Sequence, residues 1–376
     1  MARSSLSLPR SEANGNPADA LSTGPAGGGG RPLNRRMVLA RRPSTTLVAD
    51  EDFALEELTV PPIDEGEVLV RTEVLSLDPS QRGWLDDVPS YMPPVRLGET
   101  MRGLGAGTVV ESRNPQMPVG TSVLGALGWQ ELAITRPGAP AGPLALRPVP
   151  DGLTPQVALN ITGVTGLAAY FGLLEVGRPK TGDVVVVSGA AGATGATVGQ
   201  LARIHGARAV GIAGGPEKCA MLVSDLGFAA AIDYRTEDVA QRLAHLVPEG
   251  INVFYDNVGG AVLDAALANL AHGASVVIGG AIAARYPAND RPPDGIRNIP
   301  LLMIRSARME GFTLGGFAAR FPIAYDRLAA WTRDGQIVTV EDVQEGPLEA
   351  APGTLRRLFE GRNRGKQLLR LSSRAE

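Results

Sequence analysis

The chain has 376 residues, 44% hydrophobic and 20% charged, with a formal net charge of −3. That length suits two domains, each able to bury a core, and so small a charge without a basic stripe excludes a nucleic-acid footprint. One cysteine, Cys219, excludes an intramolecular disulfide and fits a reducing, cytoplasmic compartment; no run approaches the roughly 18 apolar residues of a membrane helix, and the start shows no secretory apolar segment.

Residues 1–31 are rich in Ser, Gly, Pro and Asn and end near Gly27, Gly28, Gly29 and Gly30. Such a composition cannot bury enough apolar surface to order itself, so a disordered tail is expected. From 32 to 155, short β-like runs broken by Gly and Pro (67–71, 107–111 and 130–134) predict a compact β domain with few helices, the substrate domain of this reading. From 156 to 335 strand-like and helix-like segments alternate. Val184, Val185, Val186 and Val187 form a continuous β-branched run, as in a strand buried on both faces. Val198, Leu201 and Ala202 then recur at helical spacing. Strand-like runs follow at 209–213, 230–234, 252–256 and 275–278, with a helix near 217–226. The alternation predicts an α/β fold with a doubly wound parallel sheet. Strand signals at 337–343 and 366–371 return the last segment, 336–376, to the β domain. The alternating domain is then an insertion, with a cleft between the two. Arg356 and Arg357 read as a solvated helix face.

The first strand of the series runs into Ser188-Gly189-Ala190-Ala191-Gly192-Ala193-Thr194-Gly195. Glycines at this spacing let a backbone turn tightly and approach a pyrophosphate. The helix starting near Ala193 offers unsatisfied N–H groups and the positive end of its dipole. Strand, glycine loop and helix in a βαβ series predict a dinucleotide site.

Sheets that bind NAD place a carboxylate at the end of the second strand to grip the ribose hydroxyls. Here that position reads Ala213-Gly214-Gly215, without a carboxylate. Its absence leaves room for a 2′-phosphate, and Lys218 follows within one turn to bind it. Tyr234 and Arg235 end the third strand nearby. Glu217, the acid that would argue for NAD, lies past the expected position. A zinc site is not expected. The chain has three histidines, His205, His245 and His272, all in the alternating domain, and one cysteine.

These motifs, taken with others, carry a resemblance. Ser76-Leu77-Asp78-Pro79 with Arg82-Gly83, the run 163–170 from Gly163 to Tyr170, and the glycine loop are joined by Gly214-Gly215-Pro216-Glu217-Lys218-Cys219. Asp256-Asn257-Val258-Gly259-Gly260, Arg308-Met309-Glu310-Gly311-Phe312 and Asn363-Arg364-Gly365-Lys366 complete the set. From Arg35 to Leu371 the chain resembles the zinc-independent medium-chain dehydrogenase/reductase superfamily, within it the leukotriene B4 dehydrogenase/prostaglandin reductase and curcumin reductase group. The resemblance implies a Rossmann domain beside a GroES-like β domain, NADP(H) as cofactor and reduction of the C=C bond of an enone or enal. It implies cofactor contacts at Thr165, Ala191, Gly192, Ala193, Thr194, Gly195, Gly214, Asn257, Phe312 and Asn363, and along the turn 279–286 at Gly279, Ala281 and Ile282. Lys218 and Tyr234 would bind the 2′-phosphate. Two departures face the substrate cleft: Ser80 stands where many members have tyrosine, and the loop before Tyr286 is one residue longer than the common pattern.

With no Ser-His-Asp set and no paired carboxylates, tyrosine is the plausible donor to a substrate oxygen. Tyr286 follows a strand and a glycine pair, where strand C-terminal ends face a ligand crevice. The resemblance puts Tyr91, on a proline-stiffened loop, at the substrate. Arg82 reads as a structural anchor more than a cleft cation. The expected partner is a small unsaturated carbonyl, and a homodimer is open. A quinone reductase on the same scaffold and a non-catalytic NADPH-binding protein are the competing readings.

Overall fold

The computed structural model describes residues 30–88, 90–138, 142–286 and 295–372. The tail expected over 1–31 lies outside them except for Gly30 and Arg31. Arg31 is tied down, its guanidinium donating to the Val60 carbonyl at 3.1 Å and to Glu111 at 2.8 Å.

The chain opens with an antiparallel pair, β1 (Leu33–Leu39) and β2 (Phe53–Thr59), that the sequence reading did not anticipate. Next come β3 (Val68–Ser76), the single turn α1 (Pro79–Gly83), β4 (Gly105–Ser112), β5 (Ser122–Gly125), β6 (Leu132–Thr135) and the two-residue β7 (Arg147–Pro148). Two core helices follow, α2 (Pro155–Ile161) and α3 (Val164–Phe171), the second running into a π-helical turn over Gly172–Gly177. The stretch Pro155–Gly177 is in fact long and apolar enough to cross a membrane, against the sequence expectation. Yet 72% of its most apolar window is buried inside the fold, which makes it a core helix.

The alternating half is β8 (Val184–Ser188), α4 (Ala193–Ile204), β9 (Arg208–Ala213), α5 (Pro216–Ser224), β10 (Ala230–Asp233) and α6 (Val239–Leu246). It continues through β11 (Ile251–Asp256), α7 (Gly260–Leu267), β12 (Leu270–Ile278), α8 (Ile282–Arg285), α9 (Pro300–Ile304), β13 (Arg308–Gly311) and α10 (Phe321–Arg333). The last elements are β14 (Glu341–Gly346), α11 (Ala351–Phe359) and β15 (Lys366–Leu371).

Six strands form one parallel sheet in the order β10-β9-β8-β11-β12-β13. This is the doubly wound α/β fold expected from the alternation. β8 lies at its centre, and its four valines are at most 2% exposed, because a strand covered by helices on both faces has no solvent side. The other sheet runs β14-β15-β3-β4-β5-β7, with β6 added on β3. In this sheet β14 pairs parallel with β15, and β15 antiparallel with β3. The strand expected at 337–343 begins only at Glu341. Ile337 is buried, but its N–H donates to the Trp331 carbonyl of α10, and the Val338 N–H to the Gln200 side chain. Apolar packing there is met by a helix end, not by a ladder. Arg356 and Arg357 are not simply solvated: Arg356 holds the Val48 carbonyl and Asp50, and Arg357 holds Gln367 and Asp342.

Candidate active site

The glycine loop is built by backbone hydrogen bonds. The Gly192 N–H donates to the Gly189 carbonyl and the Ala190 N–H to Ile212, each at 3.0 Å. A Cβ at position 195 would stand 2.5 Å from the Gly189 carbonyl oxygen and 2.7 Å from Ala190 Cα, so only glycine lets α4 start this close to the loop. α4 is 12 residues long, and its N-cap, Gly192, has no side chain to satisfy the first N–H groups. Those groups around Ala193, Thr194 and Gly195 form an anion cradle. From the other side the Gly365 N–H donates to the Ala191 carbonyl at 2.8 Å, which docks the start of β15 on the loop.

Beyond the end of β9 lies a cavity of about 350 Å³ lined by Gly214, Gly215, Lys218, Arg235, Arg362 and Arg364, among others. A Cβ on Gly214 would come within 2.8 Å of the Tyr234 ring and 2.9 Å of Arg235 Nε, so glycine allows both to lie over the turn. Lys218 Nζ donates to the Gly361 carbonyl at 2.8 Å. Burial holds the ammonium below the ordinary lysine range, Arg235 adds repulsion and Asp342 opposes both. Glu217 is ion-paired with Arg364. The expectation of a carboxylate-free turn needs one correction: Asp233, from the end of β10, reaches it and accepts the N–H of Gly215 at 2.8 Å and of Arg235 at 3.0 Å. The Gly215 hydrogen bond, more than any other contact, holds this carboxyl below its usual range. Its acceptor is thus spent on the backbone. Four cationic side chains around an open cavity, with the nearby acids already engaged, and a glycine cradle beside it fit a dinucleotide carrying a 2′-phosphate.

At the other strand ends, the Asn257 N–H donates to Ser188 Oγ and its side-chain amide to the Ser188 carbonyl, both at 2.8 Å. Ser188 Oγ donates to Asp256 at 2.6 Å. Burial pushes the Asp256 carboxyl up, against hydrogen bonds from Ser188, Gly259 and Val258. The Gly279 and Gly280 N–H groups close the next turn on the Asp256 carbonyl, at 2.8 and 3.0 Å, and Ala281 caps α8, whose first residue is Ile282. Phe312, after β13, packs against Phe317 with ring centres 6.2 Å apart. Thr165 Oγ donates to the Asn160 carbonyl, and the buried Asn363 amide to the Gly365 carbonyl, each at 2.9 Å. Asn257, Gly279 and Phe312 therefore stand at the carboxyl ends of adjacent parallel strands, the side where such sheets bind ligands.

Tyr286 bridges the parallel-sheet half and the β half. Its hydroxyl donates to Asp86 at 2.7 Å, and Arg82 lies 4.8 Å from the ring centre. Arg82 donates to Asp86 at 2.5 Å and to the carbonyls of Thr45 and Thr46, so it is a buried anchor. Burial, then the Asp86 carboxylate, push the Tyr286 phenol up to about 12, with Arg285 and Arg82 opposing. Tyr91 stands apart at 63% exposure, on a loop whose Met92 packs inward. Asp86, Arg362 and Arg364 escaped the sequence reading. The signal for Arg364 was present inside the motif at 363–366, whereas nothing local marks Asp86.

Two family models match: N-terminal domain of oxidoreductase over residues 35–141, and zinc-binding dehydrogenase over 193–330. The chain is 40% identical over 344 residues to the NADPH-dependent curcumin reductase of Escherichia coli (strain K12), covering 90% of this chain and 97% of that protein. It is 33% identical over 345 residues to the NADP(+)-dependent 2-alkenal reductase of Nicotiana tabacum, covering 90% and 98%. Among solved structures, CurA from Vibrio vulnificus in complex with NADPH superposes with a TM-score of 0.82 at 35% identity, covering 90% of this chain and 99% of that one.

Proposed function

The chain belongs to the medium-chain dehydrogenase/reductase family, and from that premise we propose that it is an NADP-dependent oxidoreductase reducing the C=C bond of α,β-unsaturated ketones and aldehydes. The observation that carries this reading is the pairing of the glycine cradle with the cationic cavity after β9. Bound NADPH supplies a hydride for the β-carbon of the substrate. The protein holds the diphosphate on the N–H groups of Ala191 to Gly195, and the 2′-phosphate on Lys218 with Tyr234 over Gly214. Thr165, Asn257, Gly279, Ala281, Ile282, Phe312 and Asn363 shape the nicotinamide end. As negative charge grows on the substrate carbonyl oxygen, a preorganised donor stabilises it. Tyr286 is that donor, and the loop carrying the exposed Tyr91 is where the resemblance puts the substrate. The reading invokes no zinc: the three histidines lie on separate elements of the parallel-sheet half and the one cysteine is Cys219 on α5.

The test is NADPH consumption with a panel of enones, 2-alkenals and simple quinones, with NADH as control. Enones and enals turned over with NADPH are the expected result. Preference for NADH, or turnover confined to quinones, overturns the reading. Tyr286→Phe should lower kcat by about tenfold and leave NADPH affinity intact, because the lost hydroxyl is one hydrogen bond on the substrate side. Wild-type turnover in that variant shows that the Tyr286 hydroxyl takes no part in the reaction.

The same reading places the protein in the cytoplasm, in keeping with its lone Cys219, and as a homodimer. Among the described residues β13 is an edge strand paired with β12 alone, and Met303 and Ile304 beside it are 78% and 62% exposed. Such an edge invites pairing with a second copy across a two-fold axis. Sedimentation should give a dimer, and Met303→Glu with Ile304→Glu a monomer. A monomeric wild-type protein refutes the assembly.

A further inference from the structure

The contacts around Tyr286 assign a role to a residue that no motif marks. We propose that Asp86 is the positioning residue of the cleft: it anchors the Tyr286 hydroxyl from the opposite domain and so sets where that hydroxyl stands for an incoming substrate oxygen.

Asp86 follows α1 in the β half, and Tyr286 ends α8 in the parallel-sheet half, 200 residues away. The Asp86 carboxylate divides its two oxygens. One takes Arg82 Nη1 at 2.5 Å. The other takes the Tyr286 hydroxyl at 2.7 Å, with Arg285 Nη2 at 3.7 Å. Arg82 is itself immobilised, its side chain 5% exposed and bonded to two backbone carbonyls. The acceptor that Tyr286 sees is therefore fixed in place, not a mobile surface acid. The ring is fixed as well. Arg82 lies on it at 4.8 Å, Arg285 at 5.4 Å, and Phe359 of α11 meets it edge-on at 5.9 Å. A Cβ on Gly83 would come within 3.4 Å of the hydroxyl, so α1 approaches this side too.

A phenol has one proton. In this arrangement it points at Asp86, and a substrate oxygen must draw it away from a carboxylate whose charge Arg82 already offsets. Asp86 thus holds the hydroxyl at the cleft while leaving its hydrogen bond available for exchange. Among the described residues, the charged groups facing the hydroxyl are Arg82 and Asp86 from the β half and Arg285 from α8; Phe359 contributes none. Removing the Asp86 charge leaves two guanidinium groups facing the phenol, so the tyrosinate forms at lower pH than in the wild type, where it forms at about 12.

This inference rests on the enone-reductase reading, and the experiment separates the two. Kinetics of Asp86→Ala, Asp86→Asn, Tyr286→Phe and Asp86→Ala/Tyr286→Phe are measured with an enone that the wild type reduces. NADPH binding is followed by fluorescence quenching, and tyrosinate formation by near-ultraviolet absorbance. Asp86→Ala should lower kcat roughly tenfold, the size of one misplaced hydrogen bond, with unchanged NADPH affinity. It should cost nothing further in the Tyr286→Phe background. Asp86→Asn keeps an acceptor oxygen and should recover most of kcat, with the alkaline limb of the kcat profile and one tyrosine titration moved to lower pH. Unchanged kcat in Asp86→Ala overturns the proposal, and so does a full additional loss in the Tyr286→Phe background, which would assign Asp86 to general stability. A wild type that binds NADPH but reduces no enone overturns the functional reading instead.

Discussion

Replacing Lys218 and Arg235 together by alanine should raise the KM for NADPH by roughly a thousandfold and leave that for NADH nearly unchanged. Each of the two cations offers a charge-assisted hydrogen bond to a 2′-phosphate, worth about 1.5–3 kcal/mol. The cofactor without that phosphate has nothing to lose there. Lys218 is half-buried and already partly desolvated, so its attraction for a dianion is screened less than that of a surface lysine. Arg362 and Arg364 remain at the cavity, but Arg364 is engaged by Glu217 and cannot fully substitute. It follows that Glu217→Gln, by releasing Arg364, should tighten NADPH binding, and that added salt should weaken NADPH more in the wild type than in the double variant. Lys218 also holds the Gly361 carbonyl, so Lys218→Gln, neutral but still a donor, separates the loss of charge from the loss of that contact. The measurement is the ratio of kcat/KM for the two cofactors. A double variant with the wild-type ratio would show that the cavity does not read the phosphate.

The parallel sheet was legible because its strands obey a local rule. Four consecutive valines in β8 can be accommodated only where both faces are covered, and the glycines after them have one stereochemical use. β13 obeyed no such rule: Arg308, Met309, Glu310 and Gly311 form an edge strand, largely exposed, with no apolar run to announce it. The same limit applied at the site. Lys218 was found because it lies one turn past β9, but its neighbours Arg362 and Arg364 come from the far end of the chain and meet it only through the fold. Asp86 and Tyr286 are a pair across two domains, and each looks ordinary in its own segment. Local sequence encodes where the backbone turns; which side chains then face each other depends on the docking of β15 and α1, which no short motif specifies. The helix Pro155–Gly177 was passed over for the opposite reason: it is long and apolar enough to cross a membrane, and only its burial inside the fold marks it as a core helix.

That docking has a costly element, a buried ion pair, and breaking it should be strongly destabilising. Lys366, at the start of β15, is 2% exposed and ion-paired with Asp78, whose side chain is 10% exposed. Asp78 also caps α1 and accepts from Ser76 Oγ at 2.6 Å. Lys366→Met should cost about 3–5 kcal/mol, because it leaves a buried carboxylate without its counter-charge. Asp78→Asn/Lys366→Met should then regain more than half of that loss. Asparagine is neutral, still accepts from Ser76, and still caps the helix. Midpoints of chemical denaturation, taken without cofactor, compare the three proteins. If the double variant is no more stable than Lys366→Met, the lysine acts through the packing of its stem and not through its charge. The pair also reaches the chemistry. Asp78 fixes the start of α1, α1 carries Arg82, and Arg82 fixes Asp86 and covers the ring of Tyr286, while the N–H of neighbouring Gly365 holds the glycine loop through Ala191. Lys366→Met should therefore lower kcat even at temperatures where it remains folded, and Asp78→Asn/Lys366→Met should restore it in step with stability.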